Sequence, residues 1–516
     1  MLASSSSQHG PSSIPVTILS SQPSLVSQPS SSLASQSSSE LTTITSVNSL
    51  PPRPAEPLAI ASPSLERKDS FNSQLSSPSS SNISAFISFA SSCQFPGIQG
   101  ATSKCLKVLR AHRGHITALA VSSSRRILYT ASGASSSIHA WSIPDLGELC
   151  VFNGGGAVKF LLVVVDPPGL ILSSHQDHKI RAWKMTTTTT SSSSSKDDRD
   201  RRPRKSTVKK FRAKHVATVP TVWNRLVTFI PARNYVKIRR HRKSLWIQHS
   251  DVISCLATSP DGSLIFSASW DKTFKVWRSS DFKCLESVEA HEDAINSLVS
   301  SSSGFLYTCS ADAKIKAWER TSAIAMMTRF KLLARSSSSH KRCRHALLAT
   351  LEGHKSGVNA MVLSPDEQLL YSGSSDRKIL VWEREESANH MSLLGALRGH
   401  RQAVLCLAAM GDFLCSGSAD KSVRVWRKSP GGSLHACIAL LEGHFGPVKA
   451  LAVAPLLKSS SPGRADVEND HGAAGSIHEF VVYSGSLDSD VRVWLITPDE
   501  NFPSAQMTNP PRFKSI

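Results

Sequence analysis

No run of about 18 apolar residues, the least that reads as a membrane-spanning helix, occurs in this 516-residue chain. Phe160–Val165, for instance, is bounded by Lys159 and Asp166, so a transmembrane helix is excluded on length. The ten cysteines include no CxxC pair and no Cys/His cluster at zinc spacing, which excludes a zinc module and a redox dithiol motif. Cys255, Cys309, Cys406 and Cys415 sit inside apolar, strand-like runs, the pattern of small buried thiols in a reducing compartment. No Lys or Arg precedes Arg53, so the basic-then-apolar pattern of a secretory signal is missing, as is an Arg-rich transit peptide. The expected location is therefore nucleus and cytoplasm, with no membrane partner. Gly-rich phosphate loops, metal sets and nucleophile motifs are also missing, and the chain reads as no enzyme, with no cofactor and no metal.

The first 50 residues hold 19 Ser, one charged residue (Glu40) and no aromatic. Such a stretch buries too little apolar surface to offset its ordering entropy, so residues 1–103 read as a disordered low-complexity tail. Within it, Ser70 follows Arg67 and Lys68, a context suited to phosphorylation. The net charge of +20 is confined to two segments. Lys196–Lys243 carries 17 Lys or Arg against three Asp, and Arg329–His345 adds six bases without an acid; the remainder is neutral. Basicity belongs to those segments and not to the fold.

What the chain does have is a repeat. Seven times a Trp closes the same phrase, at Trp141, Trp183, Trp277, Trp318, Trp382, Trp426 and Trp494, and in six of these an Asp stands six residues earlier. The clearest copy is LEGHKSGVNAMVLSPDEQLLYSGSSDRKILVW, Leu351–Trp382. Its apolar pattern predicts strands at Val358–Leu363, Leu369–Ser374 and Lys378–Trp382, with turns at Ser364-Pro365-Asp366 and at Asp376; Leu393–Leu397 supplies a fourth strand before the next Gly-His. Four short strands per unit of roughly 42 residues is the signature of a propeller blade. The gaps between closing Trp residues are 42, 94, 41, 64, 44 and 68. Three fit a bare blade and three carry insertions, at about 184–248, 319–345 and 456–478. The fold expected is all-β, a seven-bladed β-propeller over 104–497, followed by a C-terminal tail at 498–516.

These residues resemble the WD-repeat β-propeller family. The resemblance implies a hydrogen-bonded tetrad in each blade, made of a His, a Ser or Thr, the turn Asp and the Trp. Three copies keep Gly-His, Asp and Trp: His354, Asp376, Trp382; His400, Asp420, Trp426; and His444, Asp488, Trp494. Two keep the His without the Gly: His249, Asp271, Trp277 and His291, Asp312, Trp318. The first copy offers Gly114-His115 but Ser135 in place of Asp, and the second offers Asp177 but no His, with Gly154-Gly155-Gly156 instead. Those two blades are expected to be the loosest. A His-Asp-Ser set recurring in blade after blade reads as a structural pin, because catalysis needs one tuned constellation. The family pattern also implies that Cys105–Leu109, one strand too many for the first blade, completes the last and removes an exposed edge.

Within the family the chain is similar to the plant JINGUBANG-type group. The shared features are the Ser-rich N-terminus, Asn234-Tyr235-Val236, Arg239-Arg240-His241-Arg242, Leu245-Trp246-Ile247 and the phrase Ser269–Trp277. That likeness implies a nuclear and cytoplasmic interaction scaffold or regulator, acting on a transcription factor or signalling partner, linked in that group to pollen. Family members that act as substrate receptors of cullin ubiquitin ligases carry an acidic and a basic residue at the first and third positions after the Trp. Glu319-Arg320 and Glu383-Arg384 place the basic residue one position early. Trp270, just before its turn Asp where other copies have Ala311, Ser375 or Ala419, reads either as an outward anchor for a partner or as packed under the loop holding Trp223 and Trp246. Arg201, Arg202, Arg204, Lys205, Lys209 and Lys210 read as a solvated linker, a nuclear-import signal or a phosphate-contacting arm. Aromatics are sparse there, Phe211 being the near one, which disfavours base stacking by a nucleic acid. The partner's identity and the oligomeric state are not encoded in these motifs.

Overall fold

A computed structural model describes residues 100–164, 169–191, 207–229, 235–239, 242–321, 344–385, 391–429, 434–456 and 479–499. The Ser-rich tail, Ser70, the C-terminal tail from 500 onward and most of the third insertion lie outside the described residues. So do Arg201, Arg202, Arg204 and Lys205.

In blade 5 the strands are Val358–Leu363, Leu369–Ser374, Lys378–Arg384 and Met391–Arg398, antiparallel in that order. The second strand is buried along its whole length, since it has a partner strand on each side and a neighbouring blade on each face. The same four-stranded unit recurs seven times among the described residues. Blades 1 to 6 span Ile116–Asn153, Val158–Val219, Ile253–Glu289, Ile295–Leu351, Val358–Arg398 and Val404–Leu441. Blade 7 takes three strands from Val448–Pro455, Phe480–Ser486 and Val491–Pro498 and its fourth from Ala101–Leu109. That borrowed strand runs antiparallel to the last one, from Ala101 opposite Pro498 to Leu109 opposite Val491. It starts three residues before the expected boundary at 104, at the near end of the sequence expected to be tail.

The first strands of the blades neighbour one another in cyclic order, blade 7 returning to blade 1. Seven apolar clusters lie between blades, one at each junction. Every first strand opens with a β-branched residue that is at most 1% exposed: Ile116, Val158, Ile253, Ile295, Val358, Val404 and Val448. Each contributes about 1.5–3 kcal/mol of burial. In four blades the next residue donates a hydrogen bond to the opening carbonyl of the following blade: Thr117 to Val158 (2.7 Å), Ser254 to Ile295 (2.5 Å), Asn296 to Val358 (2.8 Å) and Asn359 to Val404 (2.9 Å). Blades 2 and 7 place Lys159 and Lys449 at that position, and blade 6 places Leu405.

The first insertion contains the outer strand of blade 2, Thr207–Val219. That strand pairs with Ile180–Ser191 over twelve residue pairs, from Ile180 opposite Val219 to Ser191 opposite Thr207. The Thr-rich run after Trp183 and the Lys-rich run after Ser206 are both strand-competent and opposite in register, so the hairpin extends past the blade. Lys209 and Lys210 lie in it, opposite Thr189 and Thr188. Its other described elements are a short helix at Val222–Phe229 and a two-stranded pairing of Tyr235–Arg239 with Arg242–Leu245. The second insertion likewise ends in a blade strand, Arg344–Leu351 of blade 4.

Candidate functional site

In five blades the tetrad residues meet in one geometry. The Trp indole N–H of Trp277, Trp318, Trp382, Trp426 and Trp494 donates to the hydroxyl of Ser267, Thr308, Ser372, Ser416 and Ser484 at 2.8–2.9 Å. Each hydroxyl lies 2.8–2.9 Å from Nε2 of His249, His291, His354, His400 and His444. Nδ1 of each His lies 2.8–2.9 Å from Oδ2 of Asp271, Asp312, Asp376, Asp420 and Asp488. One arrangement pairs every group: with Nε2 bare, the hydroxyl that accepts from Trp donates its own proton to the ring, Nδ1–H donates to the carboxylate, and the imidazole is neutral.

The reason for Asp at this position is local. Its Oδ1 accepts the backbone N–H two residues on, as Asp376 does from Lys378 (3.0 Å) and Asp420 from Ser422 (3.1 Å). Its Oδ2 also takes the N–H of the residue after the His, Lys355 (3.1 Å) and Arg401 (2.9 Å) in the same blades. The residue after the Asp stands at positive φ (Lys272, Ala313, Arg377, Lys421 and Ser489), which closes the turn tightly enough for Oδ1 to reach. One carboxylate thus ties a turn to a loop. Burial pushes the Asp376 carboxyl up, but His354 and the amides of Lys378 and Lys355 outweigh it and hold the group at about 2. Asp271, Asp312, Asp420 and Asp488 are also held low despite burial, by their His and amide partners.

Blades 1 and 2 correct the expected assignments. In blade 1 the ring that meets the Trp-bound hydroxyl is His112 and not His115. His112 Nε2 lies 2.8 Å from Thr130 Oγ1, which accepts from Trp141 at 3.0 Å. His115 instead reaches the carbonyl of Leu487 in blade 7. Gly before His was a misleading marker, since Ala111-His112 serves as Ala290-His291 does. With no Asp, His112 Nδ1 is left with Ser137 at 3.4 Å, and Ser137 pairs with Ser135 at 2.7 Å. In blade 2 the His comes from inside the second strand. His175 Nε2 lies 2.8 Å from Ser173 Oγ, which accepts from Trp183. Asp177 is gripped by Arg181 (2.6 and 3.2 Å), which also donates to the carbonyl of Gly155. The expected absence of His in blade 2 is therefore overturned, and a Trp–hydroxyl–His chain exists in all seven blades. We expect His112→Ala to cost about 1–3 kcal/mol in urea unfolding by orphaning a buried hydroxyl, and His115→Ala within about 0.5 kcal/mol. The reverse order would return the tetrad to His115.

These bonds put the Asp turns and the loops after the His residues on one face. There Trp270 is 42% exposed, and its ring stands 5.4 Å from the ammonium of Lys159 on the first strand of blade 2. Phe445, directly after His444, is 77% exposed. Glu292, Lys355 and Arg401 hold the same position in blades 4 to 6 and are exposed. Trp246 and Trp223 sit elsewhere. Trp246 is half-buried against the cluster between blades 2 and 3, its carbonyl accepting from Lys275 at 2.6 Å. Trp223, on the short helix, is 73% exposed. Phe445 was not singled out from the sequence; the signal available was an aromatic where other copies carry Ser250, Glu292, Lys355 and Arg401. Among the described residues no group of three His, Cys, Asp or Glu is placed to hold a metal, and no helix is long and apolar enough to cross a membrane.

Comparison with known proteins yields a match to the family described as WD domain, G-beta repeat, at residues 103–142, 242–278, 282–319, 345–383 and 391–427. Blade 2, with its displaced His, and the three C-terminal strands of blade 7 fall outside the matched segments, while most of blade 7's borrowed strand lies inside the first. The chain is 27% identical over 166 residues to Transducin beta-like protein 3 of Bos taurus, covering 31% of this chain and 19% of that one. It is 29% identical over 148 residues to the Ribosome biogenesis protein WDR12 homolog of Chlamydomonas reinhardtii, covering 27% and 30%. It is 27% identical over 165 residues to an uncharacterized WD repeat-containing protein of Schizosaccharomyces pombe, covering 31% and 39%. The chain thus spans well under half the length of each.

Proposed function

We propose that this chain, which carries WD repeats on a seven-bladed propeller, is a non-enzymatic scaffold that docks other proteins on the face bearing its Asp turns. The observation carrying this reading is Trp270, an exposed indole beside Lys159 at a position that most other blades fill with small side chains, Ala134, Ala311, Ser375 and Ala419, blades 2 and 7 having Gln176 and Leu487. Large exposed aromatics are the residues that dominate binding at protein interfaces. The His–hydroxyl–Asp sets of blades 3 to 7 are buried or half-buried and hold loops to strands, which leaves no free nucleophile–base pair in those tetrads. The proposed boundaries of this scaffold are residues 104–497, and its proposed location is nucleus and cytoplasm.

The finer reading, a regulator of a transcription factor or signalling partner in plant cells, rests on the likeness to the JINGUBANG-type group. Its hallmark segment around Tyr235 and Arg242 forms the small hairpin beside blade 3. A second reading, work in ribosome biogenesis, is favoured by the name of the Chlamydomonas relative; the cationic insertion suits an assembly rich in nucleic acid. The cullin-receptor reading gains nothing from Arg384, whose guanidinium lies 5.6 Å from the Phe305 ring and donates to Ser303. Affinity purification followed by mass spectrometry decides between the first two. The wild-type chain is expected to retain a defined set of proteins, and Trp270→Ala to lose at least about 2 kcal/mol of affinity for them with its melting temperature unchanged. Equal retention by the variant would remove the docking face, and recovery of ribosomal precursors would favour the second reading.

A further inference from the structure

The helix Val222–Phe229 is mounted the wrong way out for a soluble fold. A surface helix ordinarily turns its apolar stripe inward and its polar side to water. Here the polar side is turned inward. Asn224, Arg225 and Thr228 are half-buried, and the Asn224 amide donates to the Phe282 carbonyl, in the turn joining the third and fourth strands of blade 3, at 3.0 Å. The apolar side faces water: Val222, Trp223, Leu226, Val227 and Phe229 are 59–74% exposed, and no residue of the helix is buried. This is the densest group of exposed large apolar side chains among the described residues.

The sequence on either side of it is cationic. From Arg201 to Ser250 the chain has 15 Lys or Arg and no Asp or Glu. On the strand leading to the helix, Lys210, Arg212 and Lys214 are exposed. We propose that this helix and its basic flanks form a docking site for an anionic lipid surface. Outward Trp, Phe, Leu and Val enter the headgroup–acyl boundary, and the exposed Lys210, Arg212 and Lys214 of the preceding strand meet lipid phosphates and carboxylates. A second copy of the chain does not fit this site, since it would set one cationic segment against another. The Ser-rich N-terminal residues 1–99 do not fit either, with four acids against three bases. An acidic groove on a partner protein has the right sign. However, interfaces of that kind depend on directional polar pairing around the apolar centre, whereas this helix turns its Asn and Thr inward, and the exposed charges described on the strand before it, Lys210, Arg212 and Lys214, are of one sign. The site is separate from the Trp270 face, and the sequence expectation of no membrane partner weighed spanning segments alone.

Vesicle co-sedimentation of the full chain tests this. Vesicles of phosphatidylcholine with about one third phosphatidylserine should bind it at least about tenfold more tightly than phosphatidylcholine alone, and added salt should weaken that binding. Trp223→Ala with Phe229→Ala, and separately Lys210→Glu with Arg212→Glu, should each lower the partition coefficient about tenfold or more. Both variants should keep the wild-type melting temperature, because all four side chains point to solvent. Absence of binding to the anionic vesicles, equal binding to neutral ones, or binding unchanged by the Trp223/Phe229 variant would each overturn the proposal and leave a protein groove as the occupant.

Discussion

A chain lacking residues 101–111 is expected to lose its single cooperative unfolding transition. The deletion removes the fourth strand of blade 7, with its ladder from Ala101–Pro498 to Leu109–Val491. It also removes buried Leu109 from the cluster between blades 7 and 1, and the Lys107 ammonium that reaches the Leu146 carbonyl of blade 1. At about 1 kcal/mol net per hydrogen bond, the ladder alone amounts to a large share of the about 5–15 kcal/mol that holds a domain together. The loss falls at the only junction where the ring is closed by strands from opposite ends of the sequence. Val491–Pro498 would also become a bare edge, open to pairing with other chains. Calorimetry or urea unfolding of the truncated chain should therefore give a broad, early transition with aggregation. A sharp transition at the wild-type temperature would mean that blade 7 stands on three strands.

Acidification is the second large effect. Burial lowers the imidazoles of His249, His291 and His444 below their usual 6.5, more than their Asp partners raise them. Burial and neighbouring His139 bring His112 down to about 3; burial and Arg181 bring His175 to about 4. A His with a lowered folded pKa takes up its proton first in the unfolded chain. The stability it contributes is complete above pH 6.5 and drains away as pH falls below that value towards the folded pKa. The tetrad aspartates, held low, lose their contribution later, as pH falls below their ordinary 3.8. Both groups act in the same direction, in two successive windows. At pH 5, His112 and His175 together should cost about 4 kcal/mol relative to pH 7.5. The urea midpoint should fall steeply between those values; a flat profile would show that folded and unfolded chains take up these protons alike, so that burial does not depress the two imidazoles.

Much of this fold was legible because its signals repeat. Asp six residues before Trp marks a turn and a third strand, and the three strands expected first in blade 5 lie where the pattern of Val358–Trp382 places them. The outer strands were harder to read. Thr207–Val219 is Lys-rich and exposed along one side, so its charge concealed a strand whose register is set by the Thr run opposite. His175 was missed because it reaches the hydroxyl from two residues along the same strand, a distance at which no loop signature exists. His115 was preferred to His112 because Gly-His is conspicuous, although the bond requires only the imidazole. The inverted helix was invisible to periodicity, since an apolar stripe has the same spacing whether it faces protein or water.

The way blade 7 is shared between the two ends of the fold sets the order of events at the ribosome. Of the described strands, Ala101–Leu109 is synthesised first, and its partner Val491–Pro498 last. Until that partner emerges, the earlier strand lacks its native mate while the residues of six blades are made behind it. Final locking is then a single late, long-range step, the slowest kind of contact for a β-rich chain to make.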